Sequence, residues 1–361
     1  MTDIPRIGIM TSGGDCAGLN AAIRAVVHRA IHGYRWEVVG IRNATRGLLT
    51  RPPEVMPLTL DSVIGKVNQG GTMLGTINSG NPLAYPEPDG SVRDRSAEIV
   101  EAYHDLNLKA LVAIGGDGSL GILHKIAHQG RGMNLVAIPK TIDNDLCGTE
   151  RSIGFDTAVS VATEALDRLR STAASHQRVM ILEVMGRDAG HIALSAGIAG
   201  GAKIVLIPEI PYDLQKICAK IEERQQQELA YTLAVVAEGV KDLHGQTVVQ
   251  QSRHGTARLG GIGHMLAEQI ADVVDAEARV TVLGHLQRGG TPTATDRLIA
   301  TAFGVKAVDL IASETYGCMV GWQNRQVIVV PIAEAIASYR CVDSAETLIK
   351  TARGMGICLG D

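Results

Sequence analysis

Three segments rich in glycine or charge each follow a run of apolar residues: Thr11–Asp15 (TSGGD), Gly115–Ser119 (GGDGS) and Pro139–Asp145 (PKTIDND). Glycines in the first two let backbone N–H groups approach an anion closely, and a following helix N-terminus favours negative charge. The first segment has neither the Gly-Lys-Ser/Thr ending of a Walker loop nor the G-x-G-x-x-G fingerprint. Tight strand-to-helix turns are the alternative reading. The pattern predicts a phosphate-binding site of another type.

The third segment has the residue types for phosphoryl transfer. Asp143 and Asp145 flank an amide, and Lys140 and Thr141 come just before them. Transfer to an alcohol needs positioning, charge neutralisation and a carboxylate that accepts the hydroxyl proton. Asp117 in the second segment is a candidate ligand for Mg²⁺ bridging phosphate oxygens. A simple Asn-Asp turn would explain neither the lysine nor the density of ionisable groups.

A further set of residues, four of them arginines, lies at the edges of predicted strands. Single arginines are usually solvated, but their shared placement favours a bidentate cluster suited to a sugar phosphate. The members of this set are Arg178, Met185, Gly186, Arg187, Glu238, Arg279, His285 and Arg288.

Short apolar runs rich in β-branched residues must position these segments. Most lack polar alternation, which predicts strands buried on both faces of a parallel sheet. Helices are predicted between them, for example over Leu19–Ile31 and Asp156–Leu169. Alternating strands and helices define an α/β fold with ligands at the carboxyl ends of the strands. The predicted strands are Ile7–Met10, Val38–Ile41, Ala110–Ile114, Leu135–Ile138, Val179–Val184, Ile204–Ile207, Leu233–Val236 and Val280–Leu283.

Composition excludes several classes of function. The 361 residues have a net charge of −4, so no global basic footprint for nucleic acid exists. No run of 18 apolar residues predicts a membrane helix, and the N-terminus lacks the apolar stretch of a signal peptide. The six cysteines are scattered without a Cys-x-x-Cys pair. We therefore expect reduced thiols in a cytoplasmic protein that binds neither nucleic acid nor membrane.

Together these motifs resemble the bacterial-type 6-phosphofructokinase family. TSGGD, GGDGS, PKTIDND, HQR, MGR and LGHLQRGG occur in the family's order and with similar spacing, from Ile7 to about Gln326. The combination is specific, whereas GGDG alone also resembles NAD kinases and diacylglycerol kinases. The resemblance implies two Rossmann-like lobes with mainly parallel sheets flanked by helices. It assigns residues 1–138 and about 256–310 to a larger donor-binding lobe, and 139–255 and about 311–361 to a smaller sugar-binding lobe.

The resemblance also implies roles for individual residues. Asp143 would be the base for the sugar 1-hydroxyl, Arg187 would assist transfer, and Asp117 would help to place Mg²⁺. Thr141 and Asp145 would orient substrate and metal. The implied donor-binding residues are Gly13, Gly14, Gly116, Gly118 and Ser119. The implied binding residues for fructose 6-phosphate are Met185, Gly186, Glu238, His285 and Arg288. Arg178 and Arg279 would reach the sugar phosphate of a neighbouring subunit, which implies a homo-oligomer, usually a homotetramer.

Two positions bear on the identity of the phosphoryl donor. Lys140 is typical of pyrophosphate-dependent relatives, whereas Gly118 is typical of ATP-dependent ones, which have no carboxylate near the α-phosphate. We expect Gly118 to decide for ATP and Lys140 to add positive charge beside the transferred phosphate. Thr76–Ser79 lacks the family's bridging arginine, and Arg46 stands where many members stack an aromatic ring on adenine.

These observations predict an ATP-dependent 6-phosphofructokinase that uses Mg²⁺ and makes fructose 1,6-bisphosphate in glycolysis. A pyrophosphate-dependent enzyme is the nearest alternative. A non-catalytic sugar-phosphate sensor with the same fold is another, supported by the missing arginine. An NAD-kinase-like enzyme would leave the MGR and LGHLQRGG segments unexplained.

Overall fold

The predicted strands form two separate sheets in two compact units. The computed structural model describes residues 4–87, 89–128, 132–227, 231–251 and 257–361, with the backbone alone at 249–251, 257 and 258. Unit 1 comprises Met1–Thr157 and Arg288–Ser338, and unit 2 comprises Ala158–Gln287 and Tyr339–Asp361.

The strands and helices of unit 1 follow each other in an α/β pattern. Its strands are β1 (Arg6–Thr11), β2 (Glu37–Ile41), β3 (Val55–Leu58), β4 (Tyr85–Pro86), β5 (Val92–Arg93), β6 (Leu108–Gly115), β7 (Leu135–Pro139), β14 (Cys318–Gln323) and β15 (Gln326–Pro331). Its helices are α1 (Leu19–His28), α2 (Thr45–Leu49), α3 (Ser96–Asp105), α4 (Asp117–His128), α9 (Ala294–Ala312) and α10 (Ile332–Ala335).

The main sheet of unit 1 is parallel in its centre. Within the described residues it has seven strands in the order β15-β14-β7-β6-β1-β2-β3. The pairs from β14 to β2 are parallel, and β3 and β15 are antiparallel edge strands. Strands β1, β6 and β7 are buried almost throughout, because helices cover both faces. The parallel α/β prediction is confirmed for this unit.

Unit 2 is built around a smaller parallel sheet. Its strands are β8 (Val179–Val184), β9 (Ile204–Leu206), β10 (Thr232–Ala237), β11 (Val249–Gln251), β12 (Ala257–Leu259) and β13 (Ala278–Val282). Its helices are α6 (His191–Ala199), α7 (Leu214–Gln226), α8 (Ile262–Val273) and α11 (Thr347–Gly354), together with most of α5 (Phe155–His176). The main sheet has the order β13-β8-β10-β9 with parallel pairs, and β11 and β12 form a separate antiparallel hairpin.

The unit boundaries differ from the predicted lobes. Residues 139–157 and 311–338 belong to unit 1, and residues 257–287 belong to unit 2. Strand pairing explains the difference, because β14 pairs with β7 of unit 1 and β13 pairs with β8 of unit 2. These long-range partners cannot be read from a local apolar run.

Two predicted helices have different ends in the structure. Helix α1 ends at His28 and continues as a π-helical turn over Arg29–Tyr34, where Gly33 has a low helix propensity. Helix α5 continues to His176, since the first left-handed residue after it is Gln177, with φ +53°.

Candidate active site

The three segments that follow β1, β6 and β7 converge at Gly13. A Cβ atom at Gly13 would lie 3.2 Å from Oγ of Ser119 and 3.3 Å from Nζ of Lys140. Gly13 also has φ +82°, a left-handed conformation that glycine adopts without strain. Because β7, β6 and β1 are adjacent parallel strands, their carboxyl ends meet at one edge of the sheet. The structure thus brings the three predicted segments together.

Backbone hydrogen bonds fix the first of these segments. Ser12 N donates to Ile114 O over 2.9 Å, and Gly13 N donates to Ile77 O over 3.0 Å. The Thr76 hydroxyl donates to Gly13 O over 2.6 Å. The loop after β1 is therefore held from both sides, by β6 and by the segment around Ile77.

A cavity of about 360 Å³ opens at this edge of the unit 1 sheet. Uncharged residues make up its described lining, which includes Gly118 at the first turn of α4. Arg46 is exposed and does not belong to this lining, whereas its neighbour Thr45 does. The lining residues are Ser12, Gly13, Thr45, Ile77, Asn78, Ser79, Gly80, Asn81, Pro82, Gly118, Ser119 and Ile122.

Gly118 leaves open space at the N-terminus of α4. A Cβ atom added there would meet no atom within 4 Å among the described residues. The adjacent Asp117 is the first residue of this twelve-residue helix. Free backbone N–H groups and the helix dipole favour an anion at such a position. The site has both the room and the partial charge for a phosphate chain.

Lys140 is a buried lysine at the converging loops. Its side chain is 5% exposed, and Nζ donates to Gly14 O over 2.6 Å. Burial lowers the pKa of Lys140 from its usual value, and the guanidinium of Arg288 acts in the same direction. Asp15 and Asp143 partly offset this by favouring the charged amine. The amine is thus held against the loop after β1 by a hydrogen bond, in surroundings that lower its pKa.

The turn carrying Thr141, Asp143 and Asp145 is held by residues that come later in the chain. Asp143 N donates to the Thr141 hydroxyl oxygen over 3.2 Å. Ser152 Oγ donates to Thr141 O over 2.6 Å, and Ser152 N donates to Oδ1 of Asn144 over 2.9 Å. Asn144 adopts φ +55°, a strained conformation that these bonds maintain.

Arg288 lies against the loop after β1. Its Nη1 donates to Asp15 O over 3.2 Å, and a Cβ atom at Gly14 would lie 2.2 Å from the same nitrogen. Gly14 is therefore needed for this close approach of the guanidinium. Arg288, predicted as a sugar-phosphate ligand, belongs to unit 1.

A second cluster of predicted residues gathers at the carboxyl ends of β8, β10 and β13 in unit 2. Met185, Gly186 and Arg187 follow β8, Glu238 follows β10, and His285 follows β13. These strands are neighbours in the sheet. Glu238 N donates to Val184 O over 2.9 Å, which ties the ends of β10 and β8 together. The predicted sugar-binding residues of unit 2, apart from two arginines, meet here.

The two remaining arginines lie at the opposite edge of the unit 2 sheet. Arg178 precedes β8 and Arg279 is the second residue of β13. Both hold one carboxylate, that of Glu277, with Arg178 Nε donating over 2.5 Å. A six-residue strand spans roughly 20 Å, so neither residue shares an edge with Met185. Their predicted grouping with the other sugar-binding residues is not found within unit 2.

Three supporting residues were not predicted as part of the site. Asn20 in α1 donates to Gln69 O and Gly70 O and accepts from Met73 N over 2.8 Å. Ser152 holds the turn of Thr141, and Gln287 accepts from the Met185 amide. Asn20 and Gln287 bond to partners that are distant in sequence, and Ser152 bonds to Asn144 and Thr141 without belonging to a recognised motif.

The described residues contain neither a helix that is long and apolar enough to cross a membrane nor a group of three or more His, Cys, Asp or Glu side chains placed for a metal. All six cysteines are free thiols.

Comparisons with known proteins place this geometry in context. The family model described as phosphofructokinase matches residues 6–311. The chain is 61% identical over 361 residues to "ATP-dependent 6-phosphofructokinase 1" of Nostoc sp., covering 100% of both chains. It is 60% identical, again over 100% of both chains, to the protein of the same name in Synechocystis sp.. A solved phosphofructokinase of Saccharomyces cerevisiae has a TM-score of 0.78 at 29% identity, over 98% of this chain and 47% of that one.

Proposed function

The chain belongs to the phosphofructokinase family, and we propose that it transfers the γ-phosphoryl group of ATP to the 1-hydroxyl of fructose 6-phosphate. The product is fructose 1,6-bisphosphate, and the reaction belongs to glycolysis. The observation that carries this proposal is the convergence of Gly13, Ser119 and Lys140 beside the unit 1 cavity. The relatives that share its whole length are named as ATP-dependent enzymes.

The donor-binding role falls to unit 1. Gly13, Gly14, Gly116, Gly118 and Ser119 supply backbone or hydroxyl groups at the carboxyl ends of β1 and β6. Open space at Gly118 supports ATP over pyrophosphate, because the α-phosphate of a nucleotide can pass close to the backbone. Thr45 and the residues around Asn78 line the same cavity and would face the nucleoside. Arg46 stays a prediction as an adenine contact, at the exposed surface beside Thr45.

The transfer step is assigned to the segment after β7. Asp143 accepts the proton of the 1-hydroxyl as that oxygen attacks the γ-phosphorus and the bond to the β-phosphate oxygen breaks. Thr141 and Asp145 orient the sugar, while Lys140 and Arg187 stabilise the charge that develops on the phosphoryl oxygens. The support for these roles is the ordered turn held by Ser152 and the buried amine of Lys140.

The segment after β6 offers an oxygen ligand that suits Mg²⁺. Mg²⁺ prefers oxygen ligands and usually keeps several waters, binding through one or two carboxylates plus the substrate phosphates. Asp117 at the start of α4 supplies such a carboxylate, and the described residues form no larger cage. The metal, when bound with the nucleotide, neutralises charge on the phosphate oxygens.

The sugar-phosphate role falls to unit 2 and to Arg288. Met185, Gly186, Glu238 and His285 stand at one edge of the sheet and would bind fructose 6-phosphate. Arg178 and Arg279 lie at the other edge, which supports their service to the active site of a neighbouring copy. We therefore propose a homo-oligomer, a homotetramer by resemblance, with shared active sites. The free cysteines support a location in the cytoplasm.

The purified protein with fructose 6-phosphate and Mg²⁺ tests this proposal when ATP and pyrophosphate are compared as donors. We expect fructose 1,6-bisphosphate to form with ATP and hardly at all with pyrophosphate. Equal rates with the two donors would contradict the assignment of ATP, and Lys140 would then favour the pyrophosphate-dependent alternative. No product with either donor would favour a sugar-phosphate sensor. Calorimetry would then detect the binding of fructose 6-phosphate directly.

A further inference from the structure

Gln287 is a buried amide at the point where β13 ends in unit 2. The chain there leaves the strand and forms a 3-10 helix over Gly284–Arg288. His285 is exposed and Leu286 is 70% exposed, whereas Gln287 is 1% exposed. The side chain of Gln287 is thus the one that this turn directs into unit 2, between the residues of the proposed sugar site.

The side chain of Gln287 makes the next hydrogen bond between the ends of β13 and β8, beyond the last one that the backbone makes. The last backbone bond between β13 and β8 runs from Leu283 N to Glu183 O over 3.0 Å. Beyond it, Met185 N donates to Oε1 of Gln287 over 2.7 Å. The amide of Gln287 therefore ties the turn that carries His285 to the loop that begins at Met185.

The loop after β8 is fixed from its other side by backbone contacts with the end of β10. Gly239 N donates to Gly186 O over 3.0 Å. A Cβ atom at Gly239 would lie 2.0 Å from Arg187 O, so the two segments touch closely. Gln287 links the same loop to the end of β13. The ends of β8, β10 and β13 are thus joined to one another by hydrogen bonds.

The orientation of the Gln287 amide is determined by its partner. Met185 N is a donor, so Oε1 must face it and the Nε2 group must point away. Nε2 is buried and has no hydrogen-bond partner among the described residues. A buried donor without an acceptor costs free energy, which offsets part of what the bond to Met185 N contributes to stability. The described hydrogen bond that this cost accompanies is the one to the loop of the proposed sugar site.

We propose that Gln287 is a positioning residue of the sugar-phosphate site, which holds the His285 turn and the Met185–Arg187 loop in register for the substrate. This inference rests on the proposed function, because it takes fructose 6-phosphate as the ligand of that site. Gln287 acts through Met185 and His285.

Two variants remove the tie in different ways. Gln287→Met keeps the approximate length without an acceptor, and Gln287→Asn keeps the amide but is one methylene too short to reach Met185 N. We expect either change to raise the Kd for fructose 6-phosphate about tenfold, the order expected for one lost buried hydrogen bond. The Kd for ATP should stay within about twofold of the unmodified protein, since the donor loops lie in unit 1.

Hydrogen–deuterium exchange at the Met185 amide gives an independent readout. This amide should exchange slowly in the unmodified protein without ligands and much faster in both variants. Gln225→Met is the matched control, because the exposed Gln225 side chain also bonds the backbone, donating to Asp275 O, but at the amino edge of the same sheet. The control should leave both the sugar-phosphate Kd and the Met185 exchange unchanged.

The outcomes separate the two proposals. An unmodified protein that does not bind fructose 6-phosphate would contradict the proposed function. A protein that binds it with the same Kd before and after Gln287→Met would overturn the role of Gln287. If both variants fail to fold, fast exchange of the Met185 amide in the unmodified protein would overturn it equally, and slow exchange would support it.

Discussion

The Nζ atom of Lys140 lies 2.6 Å from the carbonyl oxygen of Gly14, so the segment after β7 holds the loop after β1 through a buried amine. This contact explains how a lysine fits into a site whose open space at Gly118 suits ATP. The amine donates a hydrogen bond to the backbone of the loop after β1. In the proposed mechanism this amine would act on the donor, while its hydrogen bond orders the loop.

Lys140→Gly should therefore lower turnover with ATP but leave the preference for ATP over pyrophosphate unchanged. Loss of a charge-assisted hydrogen bond predicts a decrease of roughly 10- to 100-fold in kcat. Initial rates with both donors measure the effect, and Lys140→Met serves as the control that keeps the apolar stem. Pyrophosphate activity that is present in the native protein and disappears in Lys140→Gly would show that this lysine selects the donor.

Gly118→Asp should abolish most use of ATP. The structure has room for the new side chain, because a Cβ atom there meets nothing within 4 Å among the described residues. A carboxylate at about 4 Å from the α-phosphate would cost about 4 kcal/mol at an effective dielectric of 20, which corresponds to about a thousandfold in kcat/KM. Gly118→Asn is the uncharged control and should retain far more activity. An equal loss in both variants would assign the effect to size.

The parts of the fold that sequence predicted best are the buried central strands. Continuous apolar runs such as Val179–Val184 match β8 at both ends. The antiparallel edge strand β15 was missed although Val327–Val330 is also a continuous apolar run, and its residues are exposed or half-buried rather than buried. The site divides in the same way. Loops that follow predicted strands were located, whereas Asn20 and Gln287 act through partners that only the tertiary structure brings near.

Asp143→Ser should lower kcat at least about 100-fold, since a positioned general base typically contributes that factor or more. Sugar binding should change little, because hydrogen bonds of Ser152 to Asn144 and to Thr141 O hold the turn. Steady-state kinetics and calorimetry with fructose 6-phosphate separate the two quantities. A variant that keeps half of its turnover would rule out Asp143 as the base.

His191 should make the protein less stable in mild acid. Burial lowers the pKa of this histidine, the first residue of α6, from its usual 6.5. Below about pH 6.5 the unfolded chain binds a proton that the folded protein binds less readily. Its stability contribution is therefore complete above that pH and is lost as the pH falls through the folded-state pKa. His191→Gln should flatten the fall in Tm between pH 7.5 and 5, whereas His176→Gln at an exposed position should not. Parallel Tm profiles for His191→Gln and the native protein would contradict this.

Arg178 and Arg279 both donate hydrogen bonds to the carboxylate of Glu277. This pair lies at the amino edge of the unit 2 sheet, away from Met185 and His285. If they serve a neighbouring copy, an active site combines Asp143 from one chain with both arginines from another. Mixing Arg279→Ala with Asp143→Ser under conditions of subunit exchange should then restore activity, to about a quarter of the native value for random hybrids.

The matched control for this experiment is a mixture of Arg279→Ala with Arg178→Ala. Each shared site in such hybrids takes both arginines from one chain, so every site lacks one of them and no activity should return. Activity of the hybrids is measured after exchange has been demonstrated with differently tagged subunits. If exchange is complete and the Arg279→Ala and Asp143→Ser mixture stays inactive, the arginines act within their own chain. The roughly 20 Å of strand between them and Met185 would then have to be bridged by some other arrangement.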